Sequence, residues 1–274
     1  LLAEAAPREY LNFLRKNLKT SLLKDLIRET PNQFGTTSYL TGLIWGLEIL
    51  AWSPDYLTQV IAILGDIIEK AGEPYHEKHA FHVLKKVLWL PRPRTSADPE
   101  KCKAAICGLL KNHPDIGRVL IRQETSIQNT YCDCGTKPKW RGDFFGERSN
   151  VVSLHTIYCD ITHGLIGNDT DFTSNILSEY VFQIGCVRRN ILEYLENNDF
   201  STILKSEKFQ IWLEINEALA WISRFPDNKK YPKEEVDRLS AINLKLMPDE
   251  PKYKHRFLFN PDIYSLLYSP GTSD

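Results

Sequence analysis

The stretch SPDYLTQVIAILGDIIEKA, residues 53–71, decides the fold class because its apolar residues follow one unbroken helical period. They form a single stripe: Leu57, Val60, Ile61, Leu64, Ile67 and Ile68. Residues at this spacing share one face of an α-helix, and that face must be buried against other helices. Ser53 suits the N-cap and Pro54 the first helical position, where a missing N–H costs nothing. The pattern predicts a helix that begins at Pro54.

The same pattern recurs along the chain. Asp98 and Pro99 open a second helix, DPEKCKAAICGLLKN, and Pro114 opens a third within HPDIGRVLIRQ. We expect further helices at 7–18, 20–29, 38–51, 78–89, 151–166, 172–197, 207–224, 232–246 and 261–268. Alternating apolar runs and Asn-Gly or Asp-Gly turns, which mark strands and hairpins, are nearly absent. The sequence therefore predicts an all-α protein.

The many short helices joined by Pro-marked turns favour stacked antiparallel pairs. We predict an α-solenoid-like array with irregular, HEAT-like repeats. The expected organisation is an N-terminal helical block over 1–124, a polar connecting loop over 125–150 and a C-terminal helical block over 151–274. We expect the two blocks to form one continuous helical domain. Because the first residue is not Met, we also expect this domain to be cut from a longer protein.

Composition narrows the classes of function. The formal net charge is −1, which argues against a broad electrostatic surface for DNA or RNA. No apolar run is long enough to span a membrane, and no signal peptide precedes the first helix, so we expect a cytoplasmic protein with reduced cysteines. The phosphate-binding, dinucleotide-binding, serine-hydrolase and zinc-protease motifs are all missing. We expect this segment to be non-catalytic and to carry no cofactor.

The loop TYCDCGTKPKWRGDFFGERSN, residues 130–150, and the helix after it supply the candidate metal ligands: Cys132, Cys134, His155 and Cys159. Cysteine and histidine are the ligands that zinc prefers, but structural zinc sites separate paired cysteines by two to four residues and here there is one. The alternative is that His155 and Cys159 flank the buried stripe of the helix at 151–166. An enzyme site in the same cluster is the third hypothesis, and it requires these side chains to converge.

The same loop carries the candidate partner-binding or loop-anchoring residues: Lys137, Lys139, Trp140 and Arg141. Three cations and an aromatic ring are compatible with nucleic-acid binding, which is the alternative function. Trp140 either packs onto a helix or faces a partner, and we predict the former, with Arg141 bonding helix-end carbonyl groups. The other tryptophans are expected in the core: Trp45, Trp52, Trp89, Trp212 and Trp221.

Six phrases in order resemble one protein family: LLAEAAPREYLNFL, TGLIWGLEILAWSPDYL, LPRPRTSADPEKCKAAICGLLKNHPDIGRVLI, TKPKWRGDF, FPDNKKYP and LMPDEPKYKHRFLF. Over about residues 1–260 the chain resembles a helical region of large bacterial STAND-type ATPases and related antiviral defence proteins. The resemblance implies a scaffold or sensor arm that lies C-terminal to a nucleotide-binding or effector domain. Such arms recognise a foreign protein and signal to the ATPase by a change in assembly. The resemblance covers 136–141 but includes no metal-binding cysteines, which marks Cys132 and Cys134 as a local feature of this chain.

Overall fold

The computed structural model describes residues 2–18, 20, 30–32, 35–37, 39–70, 74–90, 93–127, 137–144, 152–201, 204–225 and 230–249. Within these ranges there are twelve α-helices: α1 Leu2–Ala5, α2 Pro7–Asn17, α3 Tyr39–Leu50, α4 Leu57–Lys70, α5 Pro74–Val87, α6 Pro99–Asn112, α7 Pro114–Glu124, α8 Val152–Leu165, α9 Thr170–Ser178, α10 Gly185–Asn197, α11 Lys205–Ser223 and α12 Lys233–Leu246. The protein is therefore mostly helical, as the sequence predicts. The helices expected at 20–29 and 261–268 lie outside the described residues, apart from Thr20.

Two short strands were not predicted. Strand β1, Thr30–Asn32, pairs antiparallel with β2, Gly35–Thr37, and Thr30 lies opposite Thr37. Each strand has only three residues, which is too short for an alternating apolar pattern to appear in the sequence.

The chain divides into two compact units, and the first is Leu1–Thr162. Helix α4 lies at its centre and packs against α2, α3, α5 and α6. All six residues of the predicted stripe on α4 are buried, and so is Ile63. The helix begins at Leu57 rather than Pro54 because a turn precedes it, in which the backbone N–H groups of Tyr56 and Leu57 both donate to the Ser53 carbonyl.

Helices α6 and α7 begin where the sequence predicts. The Asp98 side chain caps α6 by accepting a hydrogen bond from the Lys101 backbone N–H at 2.8 Å, and Pro99 occupies the first turn. Pro114 likewise occupies the first turn of α7, where the N-cap residue His113 makes no side-chain capping bond. Proline and an N-cap acid are local signals, so these two starts need no tertiary information.

The second unit is His163–Asp274, in which α11 packs against α9 and α12, and α10 packs against α12. The single long helix predicted at 172–197 is wrong. The structure has α9, a 3-10 turn at Tyr180–Phe182 and then α10, with extended backbone at Gln183 and Ile184. The break is stabilised because the Gln183 carbonyl accepts a hydrogen bond from Arg188 Nη1 at 2.6 Å.

The two compact units divide after Thr162, and residues 137–144 of the predicted connecting loop at 125–150 are among the described residues. Residues 137–144 of that stretch belong to the first unit, which continues to Thr162. They bond there to Glu4 and Ser96, so this part of the stretch is an ordered element of the first unit. In the described part of the chain, no helix has both the length and the apolar character that a membrane span requires.

Candidate functional site

The candidate site is the loop of residues 137–144, and Glu4 holds its backbone in place. Glu4 lies on α1 and is buried. Its Oε1 atom accepts hydrogen bonds from the backbone N–H groups of Lys139, at 2.5 Å, and Trp140, at 3.2 Å. Helix α1 itself packs on α3. A carboxylate that accepts two N–H groups fixes the peptide planes on both sides of Lys139.

Arg141 reinforces this attachment. Its Nη1 atom donates to the backbone carbonyl of Glu4 at 3.2 Å, so the sequence-based expectation of a bond to a helix carbonyl agrees with the geometry. Its Nε and Nη2 atoms donate to the two carboxylate oxygens of Asp143, at 2.8 and 2.5 Å. This hydrogen bonding raises the pKa of the Arg141 guanidinium and lowers the pKa of the Asp143 carboxyl. The Arg141 guanidinium is therefore already hydrogen-bonded to Asp143 and Glu4.

Phe144 anchors the other end of the loop. It closes the 3-10 turn Gly142–Phe144 and is buried, with its ring edge-to-face on Tyr56 at 6.0 Å between centroids. The Arg141 guanidinium lies over the same ring, 4.3 Å from its centroid. The Ser96 hydroxyl donates to the Phe144 carbonyl at 2.6 Å. The loop is thus attached at both ends to elements of the first unit.

Trp140 does not provide the anchor. Its side chain is 71% exposed, so the prediction that it packs onto a helix is wrong. Pro138 and Phe144 are the buried residues of the loop, and Glu4 supplies the polar attachment that the sequence did not reveal. Lys137 and Lys139 are exposed on the same short segment. The result is an exposed indole and two exposed cations on a fixed backbone.

The other tryptophans differ in their burial. Trp52 and Trp212 are buried, as predicted, while Trp89 and Trp221 are partly exposed. Trp45 on α3 is 52% exposed, which contradicts its expected place in the core. Its neighbours Ile44 and Leu47 carry the buried face of α3 instead.

The predicted metal cluster is only partly within the described residues. Cys132 and Cys134 lie outside them. His155 and Cys159 lie one turn apart on α8, with the Cys159 Sγ atom 3.7 Å from His155 Nδ1. The adjacent buried stripe of α8 contains Leu154, Tyr158 and Ile161, and the two residues lie beside it.

A second polar cluster was not predicted. Asp66 and Glu69 on α4 face His113, the residue that connects α6 to α7. One ligand atom from each of the three lies within 4.8 Å of the others. The i, i+3 spacing of the two acids on a helix was visible in the sequence, but only the packing of α4 on α6 brings a histidine from 44 residues away to them.

Comparisons of the chain with protein-family models, with curated proteins and with solved structures found no match in any of the three.

Proposed function

We propose that this chain is a non-catalytic helical scaffold or sensor segment that recognises a protein partner through the surface of Lys137, Lys139 and Trp140, hereafter the Trp140 surface. The observation that carries the proposal is the 71% exposure of Trp140 on a loop whose backbone is bonded to the Glu4 carboxylate and whose Arg141 side chain is bonded to the Glu4 carbonyl. A large exposed aromatic side chain on a fixed backbone resembles the anchor residues of protein interfaces, in which tryptophan is enriched.

The fixed backbone favours binding for a thermodynamic reason. Ordering a loop when a partner binds costs conformational entropy, and a loop that is already ordered avoids that cost. Backbone groups of Lys139, Trp140 and Phe144 are already bonded to Glu4 and Ser96, while the side chains of Lys137, Lys139 and Trp140 are exposed and can contact a partner. Lys137 and Lys139 beside the indole favour a partner surface that carries carboxylates.

Nucleic acid is the alternative ligand, and the geometry favours it less. Arginine is the side chain best suited to bidentate contact with phosphates, and Arg141 is already bonded to Asp143 and Glu4. Lys137, Lys139 and the Trp140 ring then remain on the loop as contacts for a nucleic acid. The near-neutral net charge of −1 supplies no wider attraction for a polyanion.

The resemblance described above supplies the larger setting of the proposal. The segment would belong to a large bacterial STAND-type NTPase or antiviral defence protein, act in the cytoplasm and contact either its own upstream domains or a foreign protein. An α-solenoid-like stacking of the helices would suit this role because solenoids expose extended surfaces. The ATPase activity and the partner are part of this proposal about the longer parent protein.

The test compares Trp140→Ala with Trp45→Ala as bait in pull-downs from phage-infected bacterial cells. Both variants remove an exposed indole from the first unit, but only the first alters the Trp140 surface. We expect wild type and Trp45→Ala to capture the same partner protein. The Trp140→Ala variant and the double variant Lys137→Glu/Lys139→Glu should fail to capture it. If all four baits capture the same proteins, the proposal is wrong. A gel shift with single-stranded DNA and double-stranded RNA at low salt, abolished in Trp140→Ala, would support the nucleic-acid alternative instead.

A further inference from the structure

We infer that Asp66 and His113 bind a divalent cation in the first unit, with Glu69 orienting the histidine. The inference rests on the geometry of this cluster and is independent of the Trp140 surface. Asp66 and Glu69 lie one turn apart on α4, and His113 occupies the connection between α6 and α7. A bound cation would tie the central helix of the unit to that connection.

The His113 ring is held in one position. The side chain is only 7% exposed, and its Nδ1 atom lies 3.2 Å from Glu69 Oε2. The His113 backbone N–H donates to the Leu109 carbonyl at 2.7 Å. Gly65 permits the close approach of the ring to α4, because a Cβ atom there would lie 2.5 Å from Cδ2 of the ring. The imidazole is therefore fixed by backbone, packing and a carboxylate.

The second ring nitrogen has no hydrogen bond of ordinary length. Nε2 of His113 lies 3.8 Å from Asp66 Oδ1, beyond the 2.7–3.2 Å of an N–H···O hydrogen bond. Two ligand atoms that share one cation, each about 2.1 Å from it, are separated by roughly 3–4 Å. The gap between Nε2 and Asp66 has the width that a shared cation needs.

Glu69 completes the arrangement without binding the cation. In the tautomer whose Nδ1 proton is donated to Glu69, Nε2 carries a free lone pair 3.8 Å from Asp66 Oδ1, and carboxylates orient metal-binding histidines in this way. The Asp66 side chain is 32% exposed, so water can fill the remaining coordination positions. Lys70 Nζ lies 3.6 Å from the same Asp66 oxygen and must move when a cation binds. One imidazole and one carboxylate suit Mn²⁺ or Zn²⁺.

Mn²⁺ is the best probe, because it prefers oxygen ligands and discriminates against the thiols elsewhere in the chain. The full chain is titrated with MnCl₂, and free Mn²⁺ is followed by electron paramagnetic resonance. We expect one equivalent to bind to wild type. Asp66→Asn and His113→Gln should weaken binding at least tenfold, and Glu69→Gln should weaken it about 10–100-fold, as is typical of groups that orient a metal ligand.

Asp115→Asn is the matched control, because Asp115 is an exposed carboxylate paired with Arg118 on α7, and its loss should leave Mn²⁺ binding unchanged. Mn²⁺ should also raise the melting temperature of wild type but not of Asp66→Asn, since a ligand stabilises only the state that binds it. Asp66→Asn is nearly isosteric at a partly exposed position, so it tests the site even if His113→Gln fails to fold. Unchanged Mn²⁺ binding in Asp66→Asn, or no saturable binding to wild type at millimolar MnCl₂, overturns the inference.

Discussion

Glu4 accepts a hydrogen bond at 2.5 Å from the backbone N–H of Lys139, although 135 residues separate the two in sequence. Glu4 is buried, so this bond ties the loop to the first helix of the chain in a setting where water competes weakly. The side chain of the neighbouring Trp140 is therefore exposed on a loop whose backbone is held in place.

Glu4→Ala should detach this loop. Two backbone N–H groups lose a charged acceptor, and a hydrogen bond to a charged group contributes about 1.5–3 kcal/mol. We expect the free energy of unfolding in urea to fall by about 2 kcal/mol, and trypsin to cleave faster after Lys139 and Arg141. Glu9→Ala removes an exposed acid from α2 and should change neither measurement. Equal trypsin cleavage in the two variants would show that Glu4 does not hold the loop.

Arg188→Met should destabilise the second unit strongly. Arg188 is buried and donates to Glu235 Oε1 and to the carbonyls of Gln183 and Lys230, each at 2.6 Å. Removing one partner of a buried ion pair leaves the other charge uncompensated, which costs about 3–5 kcal/mol. Arg188→Lys keeps the charge but not the three-way geometry, so we expect an intermediate loss.

The control for this measurement is Arg189→Met, which removes the exposed arginine next in the chain. It should change the free energy of unfolding by less than about 0.5 kcal/mol, as surface substitutions usually do. A similar loss in both variants would mean that the buried hydrogen bonds of Arg188 contribute little to stability.

Of two glycines near the start of the second unit, only Gly167 should lose stability when it is replaced by alanine. Gly167 has φ of +84°, and a Cβ atom there would lie 2.8 Å from the Tyr194 ring, so Gly167→Ala should cost at least about 1 kcal/mol. Gly164 lies within α8 with no atom within 4 Å of a built Cβ. Gly164→Ala should leave stability unchanged or raise it by about 0.5–1 kcal/mol, because alanine favours a helix. Thermal melts of both variants test this, and destabilisation by Gly164→Ala would contradict it.

Cys102 and Cys107 lie on the same helix and should differ in reactivity. Burial, with a smaller effect of Asp98, raises the pKa of the Cys102 thiol to about 12, whereas Cys107 is exposed. Because the thiolate is the nucleophile, iodoacetamide between pH 8 and pH 10 should modify Cys107 in the folded protein and leave Cys102 unmodified. Mass spectrometry of peptides that contain each cysteine measures this. Equal modification of both under native conditions would contradict the burial of Cys102.

The same pKa shift makes stability depend on pH, with a defined sign. The thiol in the unfolded chain has a pKa of about 8.5, so it loses its proton at a lower pH than the folded thiol. The folded state then binds more protons, and stability falls with rising pH. The contribution of Cys102 is complete below the unfolded pKa and is lost as the pH rises toward the folded value of about 12.

Local signals explain which helices could be predicted from the sequence. Helices α4 and α6 combine a regular apolar stripe with a proline or an acid near the start, and both were found close to their observed positions. The stretch 172–197 misled the prediction because its apolar spacing continues across the extended backbone of Gln183 and Ile184. The side chain of Arg188 stabilises that break, and a periodicity count does not register such a contact.

The sequence by itself determined that the chain is mostly helical and which face of α4 is buried, because helical periodicity depends on residues within one or two turns. Only the tertiary structure decided that Trp140 is exposed and that His113 meets Asp66 and Glu69. The burial of a loop side chain depends on what distant segments place beside it. Here Glu4 and Phe144 hold the loop and leave the indole of Trp140 exposed to solvent.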